Sequence, residues 1–271
     1  MKLITLNIWG GQVHKPLLEF IRKHNDVDIF CFQEVFKSDR NIFHNKIKTN
    51  IYADIAKVLT DYNKYFVPTF EGYDIEEAVD FELYFGQAIF VKKSIKILSE
   101  GDIFVYGTYG QERTKPVRNG RFLDFPRNLH FVDIENPSAS IRLAQDKGPG
   151  QAKETLISNF HGFWTPESKD DTPERLEQSD KIIKFLDSYK SGKILCGDFN
   201  LNPDTQSMLK LEDGMINLIR KYNIKNTRSS LHTREDKFAD YILVSRDIKV
   251  LDFKVLQERV SDHLPLFLEF N

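Results

Sequence analysis

The chain has 271 residues, 41% hydrophobic and 29% charged, enough apolar material to bury a sizeable core. A formal net charge of −2 excludes the global positive field that marks many non-enzymatic nucleic-acid binders, but not an enzyme that grips phosphate through a metal and a local basic patch. Two cysteines, Cys31 and Cys196, are too few for a disulfide framework, and no run reaches membrane-spanning length, so a cytoplasmic protein without a signal peptide is the expectation.

No Gly/Ser-rich or Pro-rich linker divides the chain, which favours a single domain over residues 1–271. Residues 2–6 form a short apolar run that leads into Asn7 and reads as a strand. Leu17, Leu18 and Ile21 then fall at helical spacing over residues 15–23, with Pro16 suited to a first turn. A second strand over 28–32 leads into Gln33 and Glu34, and Ile47, Ile51, Ile55, Val58 and Leu59 predict a helix over about 47–61. Residues 65–70, 83–91 and 95–98 read as strands, and the acidic stretch 71–80 as a solvated loop that could hold a secondary cation.

Residues 101–128 show no clear period. They carry Arg113, Lys115, Arg118 and Arg121 interleaved with Tyr106, Tyr109, Phe122 and Phe125, a mixture that can grip phosphates and stack on bases or sugars, or simply form a charged surface loop. Strands are expected over 129–134 and 155–160, with a hairpin tip or loop at 146–150. Thr172 and Pro173 open a strong helix that stops near Gly192. The run from Lys193 ends in Gly197, Asp198, Phe199 and Asn200, a helix is expected over 213–222, and the last strands are 241–244 and 264–270.

Polar residues stand at the ends of several of these runs: Asn7, Glu34, His161, Asp198 with Asn200, Asp240, and Asp262 with His263. Each alone has an ordinary reading as a turn, cap or solvated strand end. Ends of successive strands in an α/β fold can converge on one point, and the ordered set is far more specific than any member. Cys31 and Cys196 sit inside apolar runs, where a thiol behaves as a small buried hydrophobe. The remaining histidines, His14, His24, His44, His130 and His232, lack such a setting and are read as surface or packing residues. Trp9 and Trp164 closely follow motifs, so either could line a site, with core packing expected for at least one.

The segments TLNIWGG, FQEV, NFH, GDFN, ADYIL and SDHLP together closely resemble the endonuclease/exonuclease/phosphatase family, the metal-dependent phosphohydrolases similar to deoxyribonuclease I. The resemblance runs from Asn7 to His263. It implies a four-layer α/β sandwich, two mixed β-sheets packed face to face and flanked by helices. It also implies hydrolysis of phosphoester bonds with Mg²⁺, or Mn²⁺. Glu34 suits the principal metal ligand, because Mg²⁺ takes one or two protein carboxylates and keeps several waters. By resemblance Asn7 helps position the metal, Asp262 supplies a second carboxylate at its edge, and Asp198 orients or deprotonates the attacking water. Asn200 and His161 bind phosphate, and Asp240 orients His263. His161 stands where abasic-site endonucleases usually carry Tyr, which argues against that branch.

Nucleic acid, DNA or RNA, is the leading substrate expectation, with Arg113, Lys115, Arg118 and Arg121 as candidate contacts. A lipid or inositol phosphohydrolase is the alternative, supported by His161 and by the NIWGG opening, which looks like that of sphingomyelinases. A non-catalytic binding protein of the same fold ranks below both, since relatives that lose catalysis normally lose the metal Glu, the GDxN pair or the final His. The oligomeric state is open, with a monomer as the default.

Overall fold

A computed structural model describes residues 1–74, 76–111, 125–136 and 153–271, apart from the side chains of Asn136 and Lys153. Arg113, Lys115, Arg118 and Arg121, and the expected loop at 146–150, lie outside the described residues.

Fourteen strands are found among the described residues, twelve of them in two six-stranded mixed sheets. The first sheet runs β13 (Val250–Val255), β14 (Leu266–Phe270), β1 (Lys2–Asn7), β2 (Ile29–Ser38), β6 (Leu83–Lys92) and β5 (Tyr62–Glu71). The second runs β11 (Met215–Asn217), β12 (Asp240–Ser245), β10 (Gly192–Asp198), β9 (Lys153–His161), β8 (Arg127–Asn136) and β7 (Ile97–Tyr106). A two-stranded hairpin, β3 (Phe43–His44) with β4 (Ile47–Lys48), stands apart.

Alternation along the strands explains the layering. In β1, Leu3 joins Cys31, Ile89, Ile157 and Cys196 in the core between the sheets, while Ile4 and Leu6 join the cluster under α1 (His14–Lys23) and α2 (Ile51–Val58). The second sheet packs its outer face on α3 (Pro173–Asp187), whose Thr172 cap accepts from Arg175 N at 3.3 Å, and on α4 (Gln206–Glu212). Both cysteines are fully buried and free, as small hydrophobes would be.

Three element assignments change. Residues 47–48 belong to the hairpin, and Asn50 caps a shorter helix by accepting from Ala53 N at 3.1 Å, so the apolar spacing from Ile47 onward spans two elements. The helix expected over 213–222 is instead the edge strand β11 followed by a single turn, α5 (Leu218–Lys221), where the Asn217 side chain caps, and the longer helix α4 ends just before it at Glu212. Part of the aperiodic stretch after Gly101 is the edge strand β7, whose partly exposed faces blur the alternation.

Polar side chains also cross between the sheets. Asn159 on β9 accepts from Gln33 Nε2 at 2.6 Å and donates to Phe32 O at 3.0 Å. Asn128 on β8 accepts from Thr69 Oγ1 at 2.8 Å. These bonds fix how the two sheets face each other, and with them the edges that carry the polar motif residues.

Candidate active site

The pairing register sets the first feature. Asp198, the last residue of β10, stands opposite His161 on β9 and opposite Asp240 on β12, which places three polar side chains in one row across the end of the second sheet. Gly197 must be glycine there: its φ is +133°, and a Cβ would lie 2.0 Å from Phe160 O. Asn200 takes φ +52°, a conformation Asn tolerates, and its backbone N–H donates to Asp198 Oδ1 at 3.0 Å.

The first sheet supplies Asn7 and Glu34. Glu34 is not at a strand end, as expected, but inside β2, at a break in the β2–β6 register between Phe32 and Val35. Its φ of +55° and the bulge turn its carboxylate out of the pleat, and its side chain is 21% exposed. Asn7 Oδ1 accepts from Trp9 N at 2.9 Å, so its amide nitrogen points at the carboxylates, donating to Glu34 Oε1 at 2.9 Å and Asp198 Oδ2 at 3.0 Å. Asn7 therefore bridges the sheets and holds two carboxylates side by side.

His263 closes the site. Its Nδ1 lies 2.8 Å from Asp240 Oδ1, and its Nε2 lies 3.5 Å from Asp198 Oδ2. Asp240 is held in turn by Thr227 Oγ1 at 3.0 Å. His161 Nε2 is 3.8 Å from both Glu34 Oε1 and Asp198 Oδ2. Two sets, Glu34–His161–Asp198 and Asp198–Asp240–His263, each present ligand atoms within 4.8 Å of one another. Asp262 belongs to neither; its Oδ2 faces His232 Nδ1 at 3.6 Å and Arg228 Nη1 at 3.7 Å. Asn200 Nδ2 donates to Gly162 O at 3.3 Å.

This crowding separates the proton affinities. Burial raises Glu34 to about 7, with Asp262 and Asp198 adding to it against the Asn7 hydrogen bond. Burial would raise Asp198 as well, but the charges of His263, Arg228 and Lys169 overcome it and hold that carboxyl well below its ordinary value. His161 is lowered to about 3 by burial and is neutral. Burial and Arg228 oppose the His263 imidazolium, yet Asp240, Asp262 and Asp198 outweigh them and raise it.

Several contributors were not singled out from the sequence. Arg228, 8% exposed, places Nη1 against His263 Nε2, and Lys169, 7% exposed, donates to Asp236 Oδ2 at 2.5 Å. His232, read as a surface or packing residue, bonds Asp236 Oδ1 through Nε2 at 3.1 Å and lines the cleft. Its segment, 225–237, is polar and aperiodic between two motif strands, and that position was the available signal. Asp74, placed in a solvated loop, is buried, bonded by Asn45 Nδ2 at 2.6 Å. Of the other four histidines, His130 is buried between the sheets at 0% exposure and His14 pairs with Asp54 at 2.9 Å. Trp9 and Trp164 both line the cleft, a concavity of about 300 Å³ that also has Phe70 and Phe85 in its wall.

Comparisons with known proteins agree with this architecture. The mannosyl-6-phosphatase of Bacteroides thetaiotaomicron superposes with a TM-score of 0.67 at 18% identity, covering 100% of this chain and 99% of that one. The human Nocturnin catalytic domain, solved with a bound sulfate anion, gives 0.63 at 18% identity over 100% and 93%. Truncated Caenorhabditis elegans TDP2 gives 0.61 at 17% identity over 99% and 96%. A search of curated protein sequences gave no match. At these identities the structures establish the fold, and the sequence profile of the endonuclease/exonuclease/phosphatase family matches residues 4–263, so the chain belongs to that family.

Proposed function

We propose that the protein is a divalent-metal-dependent phosphoester hydrolase whose attacking water is oriented and deprotonated at Asp198. The observation that supports this best is the His161–Asp198–Asp240 row meeting Glu34 from the other sheet, with His263 held between Asp198 and Asp240. A carboxylate kept ionised by surrounding cations accepts hydrogen bonds from a water in its reacting orientation. His263, positioned by Asp240 and charged, meets the phosphate or its leaving oxygen. Neutral His161 and the Asn200 amide supply donors to phosphoryl oxygens without adding net charge.

The donor set fits Mg²⁺ or Mn²⁺: the Glu34 carboxylate is aligned by the Asn7 amide, stands at a partly exposed opening with room for the ion's waters, and leaves Asp198 beside it for the attacking water. Such an ion would neutralise phosphate charge and lower the pKa of a bound water. Asp262 is proposed to tune this edge through its charge on Glu34.

Nucleic acid is the substrate to test first, as a phosphodiester cut by water. A second reading, a compact phosphorylated molecule, is favoured by the aromatic wall around the cleft, Trp9, Phe70, Phe85 and Trp164, and accords with the mannosyl-6-phosphatase of the same fold. The experiment is Mg²⁺-dependent hydrolysis of end-labelled DNA and RNA and of small phosphate esters, with Asp198→Asn and His263→Ala alongside. Loss of about 1,000-fold in each variant, with folding kept, is expected. Substantial turnover by both purified variants would overturn the assignment.

A further inference from the structure

Arg228 is held in place by backbone contacts on both sides. Ser229 N donates to Asp262 O at 3.0 Å, Leu264 N donates to Thr227 O at 2.9 Å, and Arg228 and His263 form an antiparallel bridge. The Asn226 side chain tightens the turn, accepting from Arg228 N at 2.9 Å. An arginine fixed this firmly beside His263, and 8% exposed, is a built feature of the cleft.

Its guanidinium is nevertheless poorly satisfied. Five N–H donors are available. Nη1 faces His263 Nε2, which carries a proton in the charged ring and cannot accept from it, Nη2 stands 3.5 Å from Asp236 Oδ2, and Nη1 stands 3.7 Å from Asp262 Oδ2. Nε has no hydrogen-bond partner among the described residues. Asp236 is already committed to Lys169 and His232, and it does not close the fork of the arginine. Donors buried in this way are costly unless an acceptor reaches them. A phosphoryl oxygen beside His263 is the acceptor that a planar guanidinium fits.

Charge then discriminates between substrates. Arg228, Lys169 and His263 are three cationic side chains buried in the wall of one cleft. A phosphodiester has two unsubstituted oxygens, whereas a phosphomonoester has three and carries close to two negative charges at neutral pH. The ring of Trp164, with Arg234 5.1 Å above it, and the side chain of Trp9 remain for the organic part of the molecule.

We propose that Arg228 is a specificity-determining residue that selects a doubly charged terminal phosphate, so that the substrate is a phosphomonoester. This rests on the phosphoester-hydrolase reading above and takes its second substrate reading, the compact phosphorylated molecule, over the phosphodiester. The bond broken is then the one between phosphorus and the single ester oxygen: water supplies the incoming oxygen and passes a proton to Asp198, His263 gives its proton to the departing ester oxygen, and the alcohol and inorganic phosphate are released.

Two measurements on the whole chain test it. The first is kcat/KM for para-nitrophenyl phosphate and bis(para-nitrophenyl) phosphate with Mn²⁺, in the wild type, Arg228→Met and Arg228→Lys. Arg228→Met should lower the monoester value about 100-fold and the diester value less than about threefold, with Arg228→Lys between them for the monoester. The second is the rise in Tm produced by inorganic phosphate, expected in the wild type and lost in Arg228→Met. Equal losses on both esters, or a phosphate-induced rise unchanged in Arg228→Met, would overturn the role of Arg228. If the wild type hydrolyses neither ester and none of the nucleic acids or phosphate esters named above, the hydrolase reading fails, and the Tm measurement still decides whether Arg228 holds a phosphate; a wild type that prefers the diester would overturn the monoester assignment. If Arg228→Met does not fold, Arg228→Lys keeps the charge but not the fork, and an undiminished monoester preference and phosphate-induced rise in Tm in it would sink the proposal.

Discussion

Asp198 and Asp240 are direct cross-strand partners on β10 and β12, and the same imidazole lies between them: His263 meets Asp240 through Nδ1 at 2.8 Å and Asp198 through Nε2 at 3.5 Å. Two carboxylates opposite each other in a sheet would repel. The histidine resolves that repulsion, and Thr227 Oγ1 donates to Asp240 Oδ2 at 3.0 Å.

Asp240→Asn should therefore separate charge from geometry. The Asn carbonyl can still accept from Nδ1–H, so the ring stays in place while the largest charge raising His263 disappears. The His263 pKa should fall relative to wild type, read by NMR of the ring protons, and turnover of a phosphoester should drop about 100-fold or more. An unchanged His263 titration would show that Asp240 does not set its charge.

Much of the site was legible because its residues sit where buried strands stop. Asn7, Asp198 and Asp240 each flank an apolar run whose limits turn residues mark, and the structure joins them with Glu34 and His263 through a few hydrogen bonds. Glu34 was found, but its bulge was not, since a one-residue register slip within a ten-residue strand leaves no mark in an apolar pattern. Arg228 and Lys169 escaped notice because a buried cation in a loop looks like any surface cation until the fold brings Asp236, Asp262 and His263 around it. Edge elements fared worst: β7 and β11 bury one side incompletely, and their alternation fades.

Asn159 in the NFH segment has a structural task apart from its neighbour His161. It is fully buried and joins the sheets by accepting from Gln33 and donating to Phe32 O. Asn159→Ala leaves that carbonyl without its side-chain donor and opens a gap between the sheets. A loss of about 2–4 kcal/mol in urea unfolding is expected. A change under about 0.5 kcal/mol would mean that apolar contacts alone set the sheet-to-sheet spacing.

Gly197→Ala should cost stability and activity together. The added Cβ would meet backbone, Phe160 O, which cannot rotate away as a side chain can, and the residue would keep a left-handed φ of +133°. Relief requires β10 to move from β9, carrying Asp198 out of its row with His161. A loss of at least about 2 kcal/mol is expected, with kcat falling more than KM rises. A variant as stable and active as wild type would show that the strand end is more plastic than its contacts imply.

Glu34 gives the pH dependence of metal binding. Its carboxyl, raised to about 7 in the metal-free protein, still holds its proton at mildly acidic pH, and a proton must leave before a cation is bound. Apparent Mn²⁺ affinity should thus fall about tenfold per pH unit below about 7, with one proton released per ion, and level off above it. The sign for folding is opposite to that of an ordinary salt-bridged carboxylate. Because the folded value lies above the unfolded one, the contribution of Glu34 to stability is complete below about 4.5 and is lost as pH rises through about 7. His161 and His130, both lowered to about 3 by burial, add stability over the same window, so the Glu34 effect is read as a difference. Metal-free wild type should lose stability relative to Glu34→Gln as pH rises through about 7, and saturating Mn²⁺ should reverse that difference by binding the ionised form. Calorimetric titration at pH 5.5, 6.5 and 7.5, paired with urea unfolding, measures both effects. Glu34→Gln should abolish the pH slope of Mn²⁺ affinity and weaken binding; an equal slope in that variant would assign the proton to another group.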